Sequence, residues 1–213
     1  MADLTKVKEN LEKKGFIVNV FDTGAEATAH LASEISDKTV GFGGSMTLKE
    51  IGLYEELSKN NEVVWHWKLV DYNNLFNEKT KDPSNIRAAR DAAMHTDIYI
   101  SSANALAETG EIVNIDGAGN RVASTLWGHS KVIFVISANK LEPNYEKAVW
   151  RARNIAAPKR AASLNKKTPC AIKVDKCYDC NSDERICRGM VTIWKPMQFQ
   201  EFEVVLIQED HGM

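Results

Sequence analysis

The chain has 213 residues, 44% of them hydrophobic, with 27 basic and 29 acidic side chains and a net charge of -2. That length and composition can bury a full core, and we read residues 1–213 as one α/β domain. Near-neutral charge excludes the global basic field of a nucleic-acid binder, and no apolar run approaches the ~20 residues of a membrane span. The N-terminus, Met-Ala-Asp-Leu-Thr-Lys, carries no basic region followed by an apolar stretch, so a cytoplasmic location is expected.

In chain order, Leu4, Val7 and Leu11 at helical spacing predict a helix over 3–14, closed by Gly15. A strand is expected over 16–21, then a helix capped at Asp22 or Thr23 and running to Ser36, then a strand over 39–42. A helix over 48–59 and a strand over 63–67 follow. Asp82-Pro83 reads as a cap with proline at the first helical position, starting a helix to Met94. Ile98 to Ser101 is a strand, and 106–115 reads as a hairpin or bulged strand. Asp116-Gly-Ala-Gly-Asn120 is a turn into Arg121.

Lys131 to Ser137 is a strand, Pro143 to Ala157 a helix ended by Pro158, and 191–194 and 202–208 two closing strands. The alternation predicts a mostly parallel twisted sheet with helices on both faces. Mixed edge strands would come from the hairpin and the C-terminal strands, with a cysteine-containing segment at 168–190.

Gly41-Phe42-Gly43-Gly44-Ser45-Met46-Thr47 sits where a strand opens into a helix, the place where open α/β sheets bind ligands. Gly41, Gly43, Gly44, Ser45 and Thr47 could hold a phosphate or carboxylate, or form only a structural turn. The run is neither a Walker A loop nor a full G-x-G-x-x-G, so neither NAD nor flavin is expected. A second candidate site comprises Glu108, Thr109, Gly110, Asp116, Gly117, Gly119, Asn120 and Arg121. There Glu108 could act as base or nucleophile and Arg121 could orient an anion; a polar hairpin is the plain alternative. Between Arg151 and Val174 lie seven basic residues and no acid, a solvated helix face or an anion-binding patch. The five isolated histidines suggest no assembly.

All four cysteines fall in one run, Cys170-x6-Cys177-x2-Cys180-x6-Cys187. Cys177 and Cys180 sit among charged and polar residues, which is no core composition. Four thiolates suit zinc or an iron–sulfur cluster; reduced thiols and disulfides are the alternatives.

Taken together, Gly41-Phe-Gly-Gly-Ser-x-Thr47, Ala107-Glu-Thr-Gly110, Asp116-Gly-x-Gly-Asn-Arg121, Ala138-Asn-Lys140, Arg151-x-Arg153-Asn-x-Ala-Ala-Pro158, Thr168-Pro-Cys170 and the cysteine run resemble the lactate utilisation (LUD) domain family. The resemblance implies a fold similar to ribose-5-phosphate isomerase and CoA transferases, with ligands at glycine-rich strand ends. It implies that Gly43, Gly44, Ser45 and Thr47 bind an anionic group and that Asn139 and Lys140 line the site. Glu108 would stand near the carboxylate nucleophile of CoA transferases.

Members are associated with bacterial oxidation of lactate to pyruvate beside iron–sulfur subunits. The chain itself lacks the C-x2-C-x2-C-x3-C-P run of the cluster-carrying member. A small anionic metabolite, iron–sulfur oxidoreductase subunits and a second copy of the chain are the partners this admits. The leading expectation is a component of lactate or organic-acid metabolism. An independent isomerase or acyl/CoA-transfer enzyme, or a metal-stapled regulatory subunit, are the alternatives.

Overall fold

A computed structural model describes residues 4–68 and 83–213, the side chains of 83–85 excepted. The expected Asp82 cap and the Asn- and Asp-rich connection over 69–82 lie outside the described residues. Helix α1 (Leu4–Lys13) buries Val7 and Leu11 one turn apart and stops at Gly15, whose φ of 96° suits glycine. Strand β1 (Ile17–Phe21) leads to α2 (Gly24–Glu34). A full capping box starts α2, with Thr23 Oγ1 accepting from the Glu26 N–H and the Glu26 carboxylate accepting from the Thr23 N–H.

The central sheet is entirely parallel, in the order β1, β10 (Glu201–Ile207), β7 (Lys131–Ser137), β4 (Ile98–Ser101), β2 (Thr39–Phe42), β3 (Glu62–Val64). Alternation along its strands builds two cores. Ile133, Val135, Val205 and Ile207 face α2, α3 (Met46–Glu50) and α4 (Leu53–Leu57). Val132, Phe134, Ile136, Phe202, Val204 and Leu206 face α1 and a second, four-stranded sheet. That sheet runs β8 (Leu141–Glu142), β5 (Ala105–Ala107), β6 (Ile112–Asp116), β9 (Gly189–Ile193), with β5 and β6 forming the expected hairpin.

The expected edges are therefore corrected. The hairpin and the strand near 191–194 leave the main sheet altogether, and the last strand lies inside it, between β1 and β7. Val204, Val205, Leu206 and Ile207 are all fully buried, as a parallel strand covered on both faces requires.

Three further differences have local causes. The helix expected over 48–59 is two short helices, separated by Gly52 at φ 68°. The strand expected over 63–67 ends at Val64, because Trp65, His66 and Trp67 are all buried in succession, which an alternating edge strand cannot achieve. Pro158 does not end its helix. Helix α7 (Tyr145–Arg151) widens into a π turn at Ala152–Ala156 and continues as α8 (Ala157–Ser163), placing the irregular turn where proline removes a donor. Helices α5 (Pro83–Ala93), α6 (Asn120–Leu126) and α9 (Pro169–Lys173) complete the described elements, and no described helix is long and apolar enough to cross a membrane.

Candidate functional site

Strands β2 and β4 are neighbours, yet the chain leaves β2 through α3 and α4 on one face and β4 through the hairpin sheet on the other. A crevice opens at the carboxyl ends of strands whose connections diverge in this way. Three strand ends border it: Gly43–Ser45 after β2, Ser102–Asn104 after β4, and the 3-10 turn Ala138–Lys140 after β7.

Lys140 ties these ends together. Its ammonium donates to Thr47 Oγ1 and, at 2.9 Å, to Ser102 Oγ, while the side chain is only 3% exposed. Burial pushes its pKa down to about 7, helped by repulsion from Arg151 and Arg121 and opposed by Glu50. Arg151, also buried, donates to the Asn104 carbonyl at 2.5 Å, the Asn139 carbonyl at 3.1 Å and the Met213 carbonyl at 3.3 Å. The guanidinium thus fastens the ends of β4 and β7 to the last residues of the chain.

Ser45, Trp67, Ser102, Asn104, Arg121 and Lys140 are among the residues around an inner cavity of about 110 Å³. Gly44, Trp67, Arg121, Arg160 and Ile186 border both this cavity and an outer cleft of about 400 Å³. Arg90, Lys166, Arg185 and Arg188 add positive charge to the outer cleft, against Asp116, Asp183 and Glu184. His66 lies on the same wall, and its pKa falls to about 4 through burial and the nearby Arg90 and Arg160, leaving it neutral at pH 7. Arg160 lies over the Trp67 ring at 5.1 Å from its centroid. Basic side chains therefore outnumber acidic ones around the outer cleft.

The residues expected from sequence divide into groups. Ser45 and Lys140 reach the inner cavity, Gly44 and Arg121 reach both, and Asp116, Gly117 and Asn120 border the outer cleft. Asp116 holds the Ala118 and Gly119 N–H groups and the Arg121 Nε, building the turn that opens α6, with Gly119 at φ 88°. Gly41 and Gly43 serve packing: a Cβ on Gly41 would stand 2.4 Å from the Ala93 carbonyl oxygen, and one on Gly43 2.7 Å from Ser101 Oγ. Thr47 is engaged by Lys140 and donates to the His211 carbonyl, while Ser45 Oγ caps α3. Asn139 lines neither cavity; its carbonyl is held by Arg151.

Glu108, Thr109 and Gly110 lie elsewhere, in the hairpin turn against α1. Glu108 pairs with Lys6, its carbonyl accepts from Asn10 at 2.7 Å, and Gly110 at φ 96° packs over the Lys14 stem. None of the three borders either cavity.

Ser102, Asn104, Trp67 and Arg160 were missed by the sequence reading, as was the buried role of Arg151. Ser102 to Asn104 carried the one usable signal: polar residues directly after a buried strand of an α/β sheet. The segment over 209–213 was also missed. It folds across α3, where the Gly212 N–H donates to Glu50 at 2.7 Å and Met213 borders the inner cavity.

The four cysteines stay free thiols, and together they border a third, small cavity of about 10 Å³. Among the described residues, no three His, Cys, Asp or Glu side chains are already arranged as a metal cage.

Comparisons with known proteins agree with this architecture. A DUF162 family protein from Deinococcus radiodurans, known from a crystal structure at 1.70 Å resolution, superimposes with a TM-score of 0.51 over 96% of this chain and 95% of that one. Only 10% of residues are identical, so the likeness is one of fold. No curated protein matches the sequence. The LUD domain family model matches residues 4–207. The chain therefore belongs to the LUD domain family, which is associated with lactate utilisation.

Proposed function

We propose that the protein binds a small organic anion, a 2-hydroxy or 2-oxo acid of the lactate and pyruvate type, in the crevice at the ends of β2, β4 and β7. Lys140 is the observation that carries this reading. Its amine is buried, hydrogen-bonded to two hydroxyls rather than to a carboxylate, and set at a cavity of about 110 Å³ beside Arg121. Burying an amine in this way is unfavourable unless a negative partner arrives. A carboxylate between Lys140 and Arg121 supplies that charge, and Ser102 and Asn104 offer hydrogen bonds to a neighbouring hydroxyl or carbonyl oxygen.

The family's association with lactate utilisation supports the choice of acid. Oxidation of a hydroxy acid needs an electron acceptor, a role that fits separate iron–sulfur subunits, with this chain holding the acid. Glu108 takes no part in this reading, because its carboxylate is paired with Lys6 away from the cleft.

Calorimetric titration with lactate, pyruvate and the neutral analogue lactamide tests it. Binding of the acids without binding of lactamide is the expected result. Equal binding of lactamide, or no binding of either acid, contradicts it.

A further inference from the structure

We infer that Cys170, Cys177, Cys180 and Cys187 bind one zinc ion as a four-thiolate site, and that this ion fixes the wall of the cleft formed by residues 175–188. All four cysteines of the chain border one cavity, although they arrive from three places: α9, the 177–180 turn and the approach to β9. Unrelated thiols, three of them only half-buried, would not converge in this way. The Asp179 N–H donates to Cys177 Sγ at 3.3 Å, Thr168 Oγ1 lies 3.3 Å from Cys170 Sγ, and Arg153 Nη2 lies 3.9 Å from Cys177 Sγ. Polar groups of this kind surround a sulfur that ligates a metal.

Charge balance agrees. Four thiolates around Zn²⁺ carry a net charge of about -2, and Arg153 and Arg185 both border the cavity. Arg185 also donates to the Cys180 carbonyl at 2.7 Å and, through Nε, to the Cys187 carbonyl at 2.9 Å, holding two of the four ligands' backbones. A void of about 10 Å³ takes a single ion, whereas an iron–sulfur cluster brings several inorganic atoms of its own. The thiol side chains must turn toward that void to close the cage.

The segment needs such a tie. Residues 175–188 contain no helix or strand, and the apolar cluster beneath them is only Ala161, Cys170 and Ala171, with Ala162, Tyr178 and Ile186 at its margin. Val174 and Asp179 adopt left-handed backbone, at φ 52° and 44°, which is unfavourable for a β-branched residue above all. Yet this segment supplies Ile186 and Cys187 to the inner cavity and Arg185 and Arg188 to the outer cleft. Its Ile186 carbonyl lies so close to Gly117 that a Cβ there would stand 2.5 Å away. The link from metal to cleft rests on the anion-binding reading above; the metal content does not.

The test uses the full chain, purified anaerobically without metal-chelating resin and analysed for zinc, iron and sulfide. The expected result is about one zinc per chain, lost in Cys177→Ser, with cobalt giving the thiolate charge-transfer and tetrahedral ligand-field bands in its place. Because the variant can fail to fold, cobalt titration of the chelator-stripped wild type stands as an independent readout. Iron in place of zinc, or no metal with four thiols freely reactive in the native protein, overturns the assignment. Metal removal is expected to expose 175–188 to proteolysis and to weaken lactate or pyruvate binding about tenfold. Unchanged proteolysis and anion affinity would overturn the link to the cleft and leave the zinc result standing by itself.

Discussion

The two parts of the molecule that meet at the cleft are held by different physics. The parallel sheet is organised by burial: Phe134, Phe202, Val204 and Leu206 have essentially no exposure, and each large apolar side chain contributes about 1.5–3 kcal/mol. The 175–188 wall is organised by polar ties, with Arg185 and Arg188 donating to the carbonyls of Cys180, Cys187, Asp183 and Arg185. A body of the first kind keeps its shape alone. A wall of the second kind depends on cross-links and docking, so the cleft joins a rigid floor to a removable side.

This contrast sets the order of expected effects. Phe134→Ala should cost about 3–5 kcal/mol in chemical denaturation, because it empties a fully buried position in the central strand. Tyr178→Ala, in the wall, should cost less than about 1 kcal/mol. Comparable losses at both positions would break the comparison.

Gly117→Ala tests the docking between the two parts. The new Cβ would stand 2.5 Å from the Ile186 carbonyl oxygen, a backbone atom that cannot rotate away. We expect a loss of about 1–3 kcal/mol and protease cleavage within 175–188 while the sheet core keeps its hydrogen-exchange protection. Protection lost throughout the chain would mean that the wall is not a separate unit.

Lys140 sharpens the comparison from the rigid side. Its folded pKa of about 7 lies below the ordinary lysine value of 10.5, so the unfolded chain binds more protons between these values. Stability should therefore fall as pH drops from about 10.5 to about 7 and level off below. Lys140→Met removes that penalty and should stabilise the protein at pH 7 by about 1–3 kcal/mol. The gain is limited because Thr47 and Ser102 each lose a donor.

The smaller of the two pH-linked effects is expected at His66. Its pKa is about 4 against an ordinary 6.5, so protonation opposes folding and stability should decline as pH falls from about 6.5 toward 4. His66→Phe should remove about 1–2 kcal/mol of that decline. Acid unfolding profiles of the two proteins measure it, and superimposable profiles would contradict the buried neutral imidazole.

Much of the fold was legible because local signals were consistent. Thr23 and Glu26 form the capping box at the predicted start of α2, and the apolar run over 131–137 forms β7 as expected. Sheet order was not legible, because it depends on contacts between strands distant in sequence. The all-apolar run at 204–207 is the pattern of a central strand buried on both faces, against the expected place of the C-terminal strands at a mixed edge.

The site was half legible. Glycine-rich turns pointed to the β2 end, but Gly41 and Gly43 prove to make room for the Ala93 carbonyl and Ser101. Glycine marks close approach, and sequence does not say whether a ligand or the protein approaches. Arg151 and Lys140 were read in a basic segment and a strand end respectively. Their convergence on Asn104 and Ser102 belongs to the tertiary structure alone.

The most direct test of the account is calorimetric titration of pyruvate or lactate into the wild type and Lys140→Met at pH 6 and pH 8.5. An anion favours the protonated amine, so wild-type affinity should be about tenfold or more higher at pH 6 than at pH 8.5, with proton uptake on binding near pH 7. Lys140→Met should bind weakly at both pH values and lose the pH dependence. Equal affinity of the two proteins at both pH values would contradict the assignment of the anion site to Lys140.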